Sequence, residues 1–211
     1  MAEVIIEARG VAVELGGAPI LSGVDLTARA GEVVAIVGAN GAGKTTLLRS
    51  LVGLQAADGR VGVFGRPPAD EPEFWRDVAL VGDEPAWYPG LSVREHLELM
   101  STVHASGGRR RPRMDAGAAL DLFGLTARAD LAPLSLSTGQ RQRLSLAMAL
   151  LRPSRVLLLD EPERALDTSF RGRLAGILAG YAAERGTVVM ATHDLRLAEA
   201  AGARLLTLEE A

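Results

Sequence analysis

The chain has 211 residues, 48% hydrophobic and 23% charged, enough for a buried core in one or two domains and too apolar for wholesale disorder. A net charge of −3 excludes a global electrostatic footprint for nucleic acid, and the lack of cysteine excludes a disulfide scaffold or a thiolate-held metal. Of 23 basic residues only one, Lys44, is a lysine, an arginine bias that a GC-rich genome explains except for the one position where lysine is kept.

The first residues, Met1 to Glu7, carry acids and no long apolar stretch, so they do not read as a signal peptide. No apolar run approaches the roughly 18 residues that a membrane-spanning helix needs, so a membrane role must come through a partner. Residues 11–15 and 24–27 alternate apolar and polar side chains and are expected to be half-buried strands. Residues 33–37 form a continuous, mostly β-branched apolar run ending at Gly38, the mark of a fully buried strand. Residues 45–52 then place Leu47, Leu48, Leu51 and Val52 on one helical face.

The middle of the chain differs. Residues 93–103, 116–122 and 141–151 have helical spacing, with a basic loop over 106–113 that reads as solvated. Trp87 and Tyr88 stand at the entrance of this stretch and read equally well as a partner contact or as anchors of a small apolar core. Residues 156–159 and 187–191 read as strands, 169–183 as a helix and 204–208 as a short last strand. Alternating β and α with buried strands implies an α/β fold: a mostly parallel sheet flanked by helices, with a helical insertion.

Gly38-Ala39-Asn40-Gly41-Ala42-Gly43-Lys44-Thr45, followed by Thr46, fits the phosphate-binding pattern G-x-x-x-x-G-K-[ST] between a strand and a helix. Glycines let consecutive amides face an anion, and the helix start adds its free N–H groups and dipole. Lys44 supplies a point charge for β- and γ-phosphates, and the Thr45 hydroxyl suits Mg²⁺. The strand ending in Asp160-Glu161-Pro162 places a second candidate metal ligand, Asp160, at a carboxyl strand end. Glu161 is placed to polarise the water that attacks the γ-phosphate.

With Leu136-Ser137-Thr138-Gly139-Gln140-Arg141-Gln142-Arg143 ahead of that strand, the chain resembles the ATP-binding cassette (ABC) ATPase family over residues 4–208. The segment is similar to the family's LSGGQ motif, and as an isolated feature it would be a helix cap with Ser137 as the capping residue. The resemblance implies a P-loop NTPase with an N-terminal antiparallel β subdomain and an inserted helical subdomain. It implies a single ATPase domain, with 1–87 and 152–211 as core and 88–151 as the helical part. It implies ATP and Mg²⁺ as cofactors, hydrolysis to ADP and phosphate, and a head-to-tail homodimer or heterodimer of ATPase subunits. In that dimer Ser137, Thr138, Gly139, Gln140 and Asp167 of one subunit face the nucleotide of the other. His193, in Ala191-Thr192-His193-Asp194, matches the family's switch histidine, so the implied hydrolytic set is Lys44, Glu161 and His193.

Four positions depart from the family pattern. Leu15 stands where an aromatic residue usually stacks on adenine. Asp83 replaces the usual glutamine before the helical part, where it could ligate Mg²⁺. Thr138 replaces a glycine, and Arg164 replaces a small or polar residue. The expected role is a subunit powering a separate transmembrane permease from the cytoplasmic face of the cell membrane, with no nucleic-acid partner and membrane association only through the permease. Export is slightly favoured over import. The alternatives are a soluble non-transport ATPase acting on nucleic acid or ribosomes, or a low-turnover regulatory module.

Overall fold

The structure is a computed structural model that describes residues 2–82, 87–105 and 114–209. In chain order the elements are β1 (Val4–Leu15), β2 (Ala18–Arg29), β3 (Val33–Val37), α1 (Lys44–Leu51), β4 (Asp58–Val63), α2 (Pro72–Asp77) and β5 (Val78–Val81). They continue with α3 (Val93–Ala105), α4 (Ala116–Phe123), α5 (Thr138–Leu151), β6 (Val156–Asp160), α6 (Thr168–Ala183), β7 (Thr187–Ala191), α7 (Leu195–Ala200) and β8 (Arg204–Thr207). An antiparallel sheet runs in the order β2-β1-β4, and a parallel sheet in the order β5-β6-β7-β3-β8.

The parallel sheet is covered on both faces, as its near-continuous apolar strands require. Successive side chains point to opposite faces. Ala35, Leu157, Leu159, Val188 and Met190 face a core shared with α3, α4, α5 and α6. Ile36, Leu158, Val189 and Ala191 face a second core, built with Leu47, Leu48 and Leu51 of α1 and the inner side of the antiparallel sheet. β3, β6 and β7 are buried at every position.

The parallel sheet and its flanking helices agree with the expected fold class. The strands expected at 11–15 and 24–27 are parts of two 12-residue strands joined by Gly16-Gly17, both at positive φ, as a two-residue hairpin demands. Register shifts along this pair interrupt the alternation, which is why the pattern shows only fragments of it. β4 carries Gly59 and Gly62 and lacks a strand-like pattern, but Gly59 is needed: with φ +90°, a Cβ there would lie 2.4 Å from the Gly10 carbonyl oxygen.

Leu157 is fully buried on β6, beside the strand end that carries the candidate acids. Leu157→Ala should cost about 2–5 kcal/mol of unfolding free energy, read from urea denaturation midpoints; an unchanged midpoint would contradict the packing described.

Candidate functional site

β3 delivers the glycine loop at its carboxyl end. A Cβ on Gly38 would stand 2.6 Å from the Leu208 carbonyl oxygen. Gly43 adopts φ 85°, and a Cβ there would lie 2.7 Å from Leu21 Cδ2 and 2.8 Å from the Ile20 carbonyl oxygen. β2 therefore closes against the loop, and only glycine fits at this point. Ala42 is buried, whereas Ala39, Asn40 and Gly41 are exposed at the loop's crest.

Lys44 opens α1 and is 7% exposed. Its Nζ donates to the carbonyl oxygens of Gly38, at 2.9 Å, and Ala39, at 2.7 Å. The ammonium has three donors, so it braces the loop and keeps one more. α1 has no side-chain cap and no acid in its first turn, which leaves its amides and positive dipole end to the loop. Thr46 is half-buried, while Thr45 is exposed and lines a cavity of about 600 Å³ together with Asp160, Arg49, Leu80 and Gly82. A hydroxyl and a carboxylate in the lining of one cavity are hard oxygen donors, a set that suits Mg²⁺ completed by waters and phosphate oxygens. Asp83 lies outside the described residues, and so does the basic loop at 106–113. Leu15 ends β1 and is 45% exposed.

Asp160 is the last residue of β6 and is buried. Glu161 then adopts φ 45°, a left-handed conformation uncommon outside glycine, while its N–H donates to the Ala191 carbonyl at 2.9 Å. The turn brings Glu161 Oε1 within 3.8 Å of Nδ1 of His193, which follows β7. The β3, β6 and β7 ends thus collect Lys44, Asp160, Glu161 and His193 on one edge, where open α/β sheets place their ligands.

Two further side chains hold this edge. Glu163 is fully buried; its Oε1 accepts from Thr192 Oγ1 at 2.6 Å and from the His193 N–H at 3.2 Å. Arg171 donates from Nε to the Leu166 carbonyl and from Nη1 to Asp194 Oδ2, each at 3.0 Å. Neither belongs to a motif, and no local pattern signals them.

Ser137 caps α5. Its Oγ accepts from the Gln140 N–H at 3.3 Å, and Gln140 Oε1 accepts from the Ser137 N–H at 3.0 Å, a complete capping box. Ser137 and Thr138 are exposed. Gly139 sits where a Cβ would lie 2.4 Å from the Ala165 carbonyl oxygen, so the segment packs on the turn after β6. Arg164 of that turn is exposed. Trp87 packs on the main core, edge-on to His96, while Tyr88 remains half exposed.

The model of a family described as ABC transporter matches residues 21–164. The cytochrome c biogenesis ATP-binding export protein CcmA of Nitrobacter hamburgensis is 41% identical over 84% of this chain and 86% of its own length. The hemin import ATP-binding protein HmuV of Streptomyces coelicolor is 39% identical over 98% of this chain and 75% of its own. The aliphatic sulfonates import ATP-binding protein SsuB 2 of Xanthomonas axonopodis is 38% identical over 97% and 67%. A solved structure titled as the ATP binding subunit of an ABC transporter aligns with TM-score 0.83 and 27% identity, covering 97% of this chain and 86% of that one.

This chain belongs to the ABC transporter family. Its cassette uses carboxylates as mechanical fixtures as well as candidate ligands. Asp167 caps α6, accepting from Ser169 Oγ and the Phe170 N–H, and pairs with Arg143; these bonds, that of Ser169 first, hold its carboxyl below the usual range. For Asp194, burial pushes the carboxyl up, but the Leu197 and Arg196 amides and the Arg171 guanidinium outweigh it and leave it lowered.

A lowered folded value means that Asp194 stabilises fully above the ordinary carboxylate range and loses that contribution as pH falls through the folded value. Asp194→Ala in this cassette should cost about 1 kcal/mol near neutral pH and flatten the acid limb of stability. Urea titrations from neutral to acidic pH check this; identical acid limbs would remove the cap from the account.

Proposed function

We propose that the chain is the ATP-hydrolysing subunit of an ABC transporter, converting ATP and water to ADP and phosphate in step with a separate transmembrane permease. The observation that carries the proposal is the convergence at one sheet edge of the Lys44 ammonium, the Thr45–Asp160 cavity and the Glu161–His193 pair. Family membership and relatives named as ATP-binding proteins support it.

In this reading the loop amides from Gly38 to Thr46 cradle the phosphates, and Lys44 neutralises the β- and γ-phosphates. Thr45 and Asp160 would hold Mg²⁺, with Asp83 as a further candidate ligand, and the bound ion would supply positive charge beside the phosphate oxygens. Glu161 orients the attacking water and takes its proton, and His193 contacts the γ-phosphate. Adenine meets Leu15 in place of an aromatic ring, a weaker stacking surface.

A second ATPase subunit, identical or homologous, completes each site across a head-to-tail dimer through its Ser137, Thr138, Gly139, Gln140 and Asp167. The exposure of Ser137 and Thr138 at a helix start with no acid in its first turn supports that role. The cassette works at the inner face of the cell membrane through its permease. Among the described residues no helix is long and apolar enough to cross a membrane. Direction belongs to the permease, since relatives named for import and for export carry the same kind of cassette.

Lys44→Ala should abolish MgATP binding by calorimetry while the circular dichroism spectrum is retained; unchanged affinity would overturn the loop assignment. Glu161→Gln should bind ATP, lower kcat by about 10²–10⁴-fold and accumulate as an ATP-bound dimer in light scattering. Wild-type turnover by that variant would remove Glu161 from the role of base.

A further inference from the structure

The turn between β6 and α6 folds one carboxylate inward. Pro162 and Glu163 are buried between two residues of left-handed conformation, Glu161 at φ 45° and Ala165 at φ 58°. The turn is pinned on three sides: Glu161 N–H to the Ala191 carbonyl, Gln142 Nε2 to the Pro162 carbonyl at 3.2 Å, and Glu163 to the loop after β7. The side chain of Glu163 is 1% exposed.

A buried carboxylate is costly unless it is compensated. Among the described residues, the one basic group within 4 Å of Glu163 is the His193 ring, whose Nδ1 stands 3.5 Å from Oε1. The same Oε1 accepts from the Thr192 hydroxyl and the His193 amide, and the Thr192 hydroxyl in turn accepts from the Asp194 N–H at 3.0 Å. Oε2 is buried, and among the described residues it has no hydrogen-bond partner. One oxygen of Glu163 therefore accepts from the Thr192 hydroxyl and the His193 amide and stands 3.5 Å from the His193 ring. Glu161 approaches the same Nδ1 from 3.8 Å, so two carboxylates converge on one ring nitrogen. The far edge of the imidazole carries Nε2, and the His193 side chain is 56% exposed.

We propose that Glu163 is a positioning residue for hydrolysis. It holds the Thr192–His193 loop and the Nδ1 edge of His193, which directs Nε2 toward the γ-phosphate and leaves Glu161 free for the attacking water. This rests on the reading of His193 and Glu161 given above. A misplacement of about 1 Å in such a group costs roughly 10²-fold in rate, so a residue that fixes the ring without touching substrate has a kinetic signature.

The test is a cycle of ATPase assays on the full chain. Glu163→Leu keeps the buried volume and removes the acceptor. It should lower kcat by at least about tenfold with KM for ATP within about threefold of wild type. In a His193→Ala background the same change should have little further effect, because the group it positions is gone. Glu163→Gln keeps an Oε1 acceptor and should restore kcat to within about threefold. Thermal unfolding verifies that each variant folds; if the leucine variant does not, Glu163→Ala enters the same cycle. Equal losses in both backgrounds, or full kcat in Glu163→Leu, would overturn the proposal. If Lys44→Ala has lost ATP binding and His193→Ala has lowered turnover to a rate that is still measurable, that overturn falls on Glu163 alone. Full turnover by His193→Ala would instead refute the role of His193 and the proposal with it.

Discussion

Burial of the parallel sheet on both faces is the constraint on which the rest depends. β3, β6 and β7 offer water no face, so polar chemistry can be placed only at their ends. Their carboxyl ends carry Lys44, Asp160, Glu161 and His193. The local irregularities gather there too: a glycine whose Cβ would strike Leu208, a nearly buried lysine braced by carbonyls, and a glutamate in a left-handed conformation. Local rules are broken where the chain must present groups rather than pack them.

The turn after β6 links otherwise separate parts. Gln142 and Arg143 of α5 reach it at the Pro162 carbonyl and at Asp167, and Gly139 packs against Ala165. Glu163 joins it to the loop after β7, and Arg171 joins Leu166 to Asp194. The α5 start, the acid turn and the His193 loop are therefore one connected body. The Lys44 loop attaches to that body mainly through the sheet, with Thr192 N–H donating to the Ile36 carbonyl at 3.0 Å and Leu208 N–H to the Val37 carbonyl at 2.8 Å. A displacement at the α5 start has a short covalent and hydrogen-bonded route to Glu161, whereas the Lys44 loop is anchored to a stiff sheet.

How much of this the sequence showed follows from how local each signal is. The Lys44 loop is legible because its strand, glycines and helix lie within twenty residues and each has a steric reason. Asp160 and Glu161 are legible because an apolar strand ends on them. The helix expected from residue 141 starts at Thr138, and here a local sign was present: Ser137-x-x-Gln140 spells a capping box. β4 was hidden because its glycines serve a close backbone approach and erase alternation. Glu163 was hidden for a different reason. Between Pro162 and Arg164 it reads as a surface turn, and its burial exists only once β7 lies beside β6.

Lys44 also gives the molecule a chemical property that its arginine-rich composition makes unusual. A chain with one lysine has one ε-amine, and here its residue is 7% exposed and the amine is tied to two carbonyls. Every other long basic side chain is a guanidinium, inert to ordinary amine reagents. Apart from the α-amino group, the protein presents such reagents with a single amine, where the glycine loop meets α1. Acylation of that amine requires that it first leave its two carbonyl partners, so the reaction reports on how firmly the loop is braced.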